Sequence, residues 1–160
     1  MSPPEFLRKL SSYPPREWSW MAEAALSLAW ARLLIRFVPY RRWRHRMGPI
    51  GWNAGSTTLC EHDRARVMLV QRWVNRAAAN VSFRANCLPQ AMAARWMLAR
   101  RGIATELHIG SKRAAEASET RPVDLHAWLL CGGRCLTGAK QRAEFTAFGR
   151  PEQSEKLGKA

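Results

Sequence analysis

A bilayer-spanning segment is the first thing this sequence lacks. Within its first strongly helical stretch the longest uncharged run, Ala24–Ala31, covers eight residues, against the ~20 that a spanning helix needs. The opening Ser2-Pro3-Pro4-Glu5 has neither a charged n-region nor an apolar h-region, so no secretory signal is expected. Cysteine is sparse: four residues in a chain of 160 cannot staple a fold. Free thiols in a reducing, cytoplasmic compartment are therefore expected. None of the four stands in C-x2-C spacing, and no internal repeat is present. Acidic residues are also few, 12 against 26 Lys and Arg, giving a net charge of +14. Such a field excludes a cationic partner and favours nucleic acid, an acidic protein or peptide, or an anionic membrane surface.

What is present suits one globular domain, since 160 residues with 47% hydrophobic content can bury a core. Residues 1–16 contain four prolines and read as an N-terminal arm. The single domain is expected over 17–150, with an N-terminal helical layer over 17–47 and a disordered tail over 151–160. A helix is predicted for 17–38, ending before Pro39, with Glu23 and Ser27 on one side and Arg32 and Arg36 nearly opposite. That distribution implies packing on more than one side and leaves peripheral membrane contact open. The basic run Arg41-Arg42-Trp43-Arg44-His45-Arg46 is a phosphate- and base-binding pattern, but it equally describes a wet helix end with one Trp in the core. Glycines and Pro49 make 48–56 a loop. Thr58-Leu59-Cys60-Glu61 then reads as a capping box for a helix to about Ala79. Its apolar stripe is Val67, Val70, Val74 and Ala77; its wet face is Arg64, Gln71, Arg72, Asn75 and Arg76.

The stretch Asn86-Cys87-Leu88-Pro89-Gln90 puts a thiol in the first turn of a helix. Asn86 is a good N-cap, Pro89 is tolerated in the first turn, and Gly102 is the expected stop. Unpaired N–H groups and the positive end of the helix dipole favour the thiolate there. Cys87, Ala91, Ala94 and Leu98 recur at helical spacing, so the thiol is in line with a small-residue stripe. A strand follows at Ile103–Ile109, then a polar loop at 110–122, then a strand at Leu125–Cys131 carrying His126. Gly132-Gly133 is a two-residue turn, and Arg134–Ala139 returns as a third strand. Phe145 and Phe148 are further apolar anchors. The fold class is α+β: N-terminal helices, with the Cys-bearing helix packed on a small antiparallel sheet. A helix-terminal Cys with a sheet-borne His is the pattern of thiol catalysis, in which the imidazole takes and later returns the proton.

The series Asn86-Cys87-Leu88-Pro89-Gln90-Ala91-Met92-Ala93, Leu98-Ala99-Arg100-Arg101-Gly102-Ile103, Leu107-His108-Ile109-Gly110 and His126-Ala127-Trp128 before a Gly turn resembles the leader peptidases of lasso peptide biosynthesis. These are transglutaminase-like cysteine peptidases. The resemblance spans 20–150 and is specific over 82–138. It implies a transglutaminase-like or papain-like core, with Cys87 as nucleophile and His126 as base. The implied reaction is removal of the leader from a ribosomally made precursor peptide. A separate leader-binding protein and a lasso cyclase are the implied partners, the chain being of the stand-alone kind. No cofactor and no metal are implied.

The family usually keeps an acidic residue on the strand after the His-Ala-Trp hairpin, where this chain has Leu136-Thr137-Gly138-Ala139. A regular two-residue turn would pair Cys131 with Arg134, Leu130 with Cys135, Leu129 with Leu136 and Trp128 with Thr137. His126, Trp128, Thr137 and Asp124 would then share one face. Asp124 is expected as the third catalytic member because it carries charge, with Thr137 next; water or a backbone carbonyl is the remaining option. Cys60, His62, Cys131 and Cys135 could be metal ligands, but their spacing and the hairpin geometry speak against zinc. The competing functions are a nucleic-acid-binding module, which leaves Cys87 and His126 without a role, and a non-catalytic basic scaffold that binds precursor peptide. No nucleic acid is expected as a partner.

Overall fold

The computed structural model describes residues 14–47, 60–112 and 125–148. Most of the expected arm, the 48–56 loop, Thr58 of the expected capping box, Asp124 and the tail from Pro151 lie outside these residues.

Helix α1 (Pro15–Phe37) begins two residues earlier than the sequence suggests, because Pro15 sits at its first position, where a missing N–H costs nothing. Its end is set by Pro39; the Val38 N–H closes the last turn on the Leu34 carbonyl. Ala24, Ser27, Leu28, Ala31 and Leu34 are its buried stripe. A short helix α2 (Tyr40–Trp43) and a 3-10 turn (Arg44–Met47) follow. Trp43 is buried and donates its indole N–H to the Val38 carbonyl at 2.9 Å, while Arg41 and Arg42 are exposed. The basic run is thus a wet helix end with its Trp in the core, and that Trp offers no face to a base.

Helix α3 (Glu61–Asn80) starts behind Cys60, which makes no side-chain cap bond. Val67, Val70, Val74 and Ala77 are buried as their spacing requires, together with Trp73. Gln71 is not a wet-face residue. Its amide donates to the carbonyls of Cys135 and Leu136 at 3.4 and 3.1 Å.

Helix α4 (Cys87–Ala99) is the centre of the molecule, packed against α1, α3 and the sheet. Its buried residues surround it: Ala91, Met92, Ala93, Ala94, Met97 and Leu98. Gly102, at φ +71°, ends it with a paired return, Ile103 N–H to Leu98 O and Gly102 N–H to Ala99 O, each 3.0 Å. Glu23 of α1 accepts from Arg100 at 2.7–2.8 Å and from Arg101 at 2.5 and 3.1 Å. Arg101 also lies 4.0 Å over the Trp20 ring. The Glu23 and Ser27 side of α1 is therefore where α4 docks.

The sheet is antiparallel, in the order β3-β2-β1-β4. Strand β1 (Glu106–Lys112) starts three residues later than expected, since Ile103 is spent on the helix return. Strand β2 (Leu125–Cys131) has the expected bounds, and β3 is Arg134–Thr137. Gly132 and Gly133 have φ +53° and +75°, the two left-handed residues a tight hairpin requires. Beyond a 3-10 turn (Ala139–Glu144), β4 (Phe145–Ala147) adds to the free side of β1. Phe145 is half-buried, but Phe148 is exposed and does not act as an anchor.

The expected β2–β3 register holds only for its first two pairs. Cys131 opposes Arg134 and Leu130 opposes Cys135, but Leu129 opposes Thr137, with a bulge between. The extra residue is Leu136, buried in the helix-side core. The bulge moves Thr137 off the partner position of Trp128, so it does not share the His126 face.

Candidate active site

Strand alternation gives the sheet two unlike faces. Ala127, Leu129 and Cys131 of β2, with Leu107 of β1, belong to the core under the helices. Trp128 and Leu130 belong to a second cluster on the other face, with Cys135, Phe145 and Ala147. His126 has the parity of Trp128 and turns its ring to that second face.

The ring is 5% exposed and tightly enclosed. It stacks on Trp128 at 5.9 Å between centroids and lies 5.0 Å from Phe145. Its Nε2 is 2.8 Å from the Gly138 carbonyl. A carbonyl only accepts, so Nε2 carries a proton and donates; in the neutral tautomer this selects, Nδ1 is the nitrogen with the lone pair. Gly138 can hold this place because it is glycine. Its φ is +74°, and a Cβ there would stand 2.9 Å from His126 Nε2 and 2.6 Å from the Ala127 carbonyl. The Gly138 carbonyl is the partner that sequence reading left behind Asp124 and Thr137. A Gly just past β3, in line with the residue sought there, was the available signal. Thr137 itself is 2% exposed, with its hydroxyl buried and unpartnered.

Cys87 is half-buried at the start of α4 and packs against the helix-side core. Asn86 stands at the N-cap but makes no side-chain cap bond. The approach is fixed instead by Gln90, whose amide donates to the Ala85 carbonyl at 2.6 Å. The structure describes no hydrogen bond between the Cys87 thiol and the His126 ring.

The two residues are related through the run of the elements that carry them. Ile103, just past the end of α4, bonds back to Leu98, and the Cys131 thiol at the far end of β2 donates to Ala104 O at 3.4 Å. These bonds join the last turn of α4 to the last residue of β2. A 13-residue helix and a seven-residue strand are each roughly 20 Å long. Helix α4 packs against β2 and β3, with Cys87 on the helix-side core and the His126 ring on the opposite face of the sheet.

The other thiols are placed differently. Burial pushes Cys131 up to about 11, with Asp63 and Glu106 adding to it. Burial also raises Cys135, against smaller opposing effects of Arg142 and the Thr137 backbone. Cys60 is exposed and donates to Asp63 at 3.1 Å. Cys131 and Cys135 lie on opposite faces of the sheet, so they cannot share a metal ion. Among the described residues no three His, Cys, Asp or Glu side chains cluster as a metal site. Among the same residues no helix is long and apolar enough to cross a membrane.

A sequence model of the transglutaminase-like superfamily matches residues 28–150, a span that includes Cys87, His126 and Gly138. No curated protein and no solved structure matches the chain.

Proposed function

Because the chain belongs to the transglutaminase-like superfamily, which commonly includes cysteine peptidases, we propose that it is a cysteine endopeptidase that removes the leader from a lasso precursor peptide. The observation that carries this reading is the His126 ring, fixed through Nε2 by the Gly138 carbonyl, on the strand against which the Cys87 helix packs. In this reading Nδ1 takes the thiol proton and Sγ attacks the scissile carbonyl. His126 then protonates the leaving amine. Water, activated by the same nitrogen, hydrolyses the thioester and frees the acid and the thiol. This reading requires the thiol and the ring to come within hydrogen-bond reach when substrate binds. In this reading the Gly138 carbonyl orients the ring through Nε2, and Asp124 remains the proposed charged third member.

The partners in this reading are the precursor, a leader-binding protein and a lasso cyclase, and the four free thiols suit a cytoplasmic setting. A surface for the leader-binding protein is offered by α1. Leu26, Trp30, Leu33 and Phe37 follow one helical stripe and are exposed, Leu26 at 71% and Phe37 at 73%. Arg36 borders the stripe, so a partner with an apolar ridge and an acidic rim complements it.

The test is precursor cleavage with the leader-binding protein present, followed by mass spectrometry. Wild type should release leader and core, and Cys87→Ala and His126→Ala, folded by circular dichroism, should release neither. Full cleavage by Cys87→Ala removes the peptidase reading. A non-catalytic scaffold is the second reading, favoured by the half-buried thiol and by the absence of a carboxylate on His126 among the described residues. It would bind precursor equally well with Cys87 changed.

A further inference from the structure

On the sheet face opposite the helices, β1 and β2 place His108 directly across from Trp128, and Gly110 across from His126. The three rings form one row. His108 and Trp128 stack at 5.8 Å with 9° between planes, and Trp128 and His126 at 5.9 Å with 25°. His108 is 1% exposed and is held from its far side by Glu106, whose Oε2 lies 3.2 Å from Nε2. Gly110 completes the seat: a Cβ there would come within 2.9 Å of the Trp128 ring tip and collide with the Thr146 backbone of β4. Trp128 is thus clamped on one side by a buried His–Glu pair and from below by a residue with no side chain.

We propose that Trp128 is the positioning residue for His126: its clamped indole fixes the plane of the imidazole so that Nε2–H meets the Gly138 carbonyl, and its π-face stabilises the imidazolium formed when Nδ1 takes the thiol proton. This rests on the peptidase reading above. The geometry is within cation–π range, ~6 Å, and the enclosed site raises the effect above its worth in water. The ring of Phe145 covers the other approach. Among the described residues, the titratable or charged groups shown around this face are Glu106 and His108 on β1, Cys135 on β3, and Arg142 in the turn before β4, which acts on Cys135. All are left unchanged in the variants that decide the question.

The experiment measures the rate of Cys87 alkylation by iodoacetamide from pH 5 to 9 in the full chain, with the site identified by peptide mapping. In wild type the rate should carry an inflection that disappears in His126→Ala. Trp128→Leu should slow alkylation near neutral pH by about tenfold and shift that inflection to lower pH, as the imidazolium loses its π partner. Trp128→Phe, which keeps a stacking face, should lose only about threefold. With precursor as substrate, the same variants should lower kcat and leave KM nearly unchanged. If Trp128→Leu does not fold, Trp128→Phe decides alone: a wild-type inflection and rate in that variant overturn the proposal. A folded Trp128→Leu with a wild-type profile overturns it too. An inflection indifferent to His126→Ala overturns the peptidase reading itself, whereas dependence on His126 without dependence on Trp128 overturns only the role of Trp128.

Discussion

Gly138 carries more of the site than any side chain near it except His126. Its left-handed φ and the 2.9 Å between its virtual Cβ and His126 Nε2 leave no room for alanine. The left-handed backbone costs about 1–2 kcal/mol for any other residue, and the clash pushes the carbonyl off the imidazole. Gly138→Ala should therefore cut cleavage at least tenfold, more than Asp124→Asn does, in a precursor assay normalised to folded protein. Thr137 points to the opposite outcome. Its buried hydroxyl has no partner, so Thr137→Val removes an unpaired polar group in nearly the same volume. That change should be neutral or stabilising by about 1 kcal/mol in urea unfolding, with activity kept. Cys87 at the start of α4 and His126 on β2 stand on the elements that residue type and pattern assigned to them. The ring's partner was not legible, because a backbone carbonyl has no letter in the sequence and a one-residue bulge moved the letter that stood there.

Among the elements, α4 was the easiest to read and the bulged β3 the hardest. The cap, the first-turn proline and the Gly102 stop all lie within the helix's own sequence, so its bounds need no tertiary information. The bulge depends on Gln71, 64 residues away from Cys135, which takes the carbonyls that the irregular strand frees. Gln71→Leu should loosen β3 and lower stability by about 1–2 kcal/mol, with faster amide exchange at Leu136 and Thr137. The junction of α1 and α4 has a pH signature. Burial acts to raise the Glu23 carboxyl, but the hydrogen bonds and charges of Arg101 and Arg100 outweigh it and hold the group below its ordinary range. A depressed carboxylate stabilises the fold above its unfolded value, about 4.3, and that contribution is lost as pH falls through the folded value. Glu23→Gln should cost about 1–2 kcal/mol at pH 7, discounted for the exposure of Arg100, and the difference from wild type should close below about pH 4.

The described residues keep one helical layer on one face of the sheet and a row of aromatic rings on the other, with Cys87 on the first and the His126 ring on the second. Composition made α+β legible, since helical and alternating periods occupy separate halves of the chain. The residue distribution of α1 implied packing on more than one side, but among the described residues only one side is in the core and the other is exposed. That second face and the +14 charge suggest how a partner is held. Phe37→Glu should weaken stimulation by the leader-binding protein at least tenfold while leaving the far-ultraviolet spectrum unchanged. Raising salt from 50 to 500 mM should reduce the same stimulation if arginines guide docking.

Intact-mass spectrometry of the chain, quenched in acid during turnover of the precursor, tests the central claim most directly. A thioester between the peptide's acyl fragment and Cys87 should appear as an adduct of the leader's mass, less water. It should be lost in Cys87→Ala and fail to form in His126→Ala. Product release with no adduct in wild type, together with undiminished cleavage by a folded Cys87→Ala, would show that this thiol is not the nucleophile.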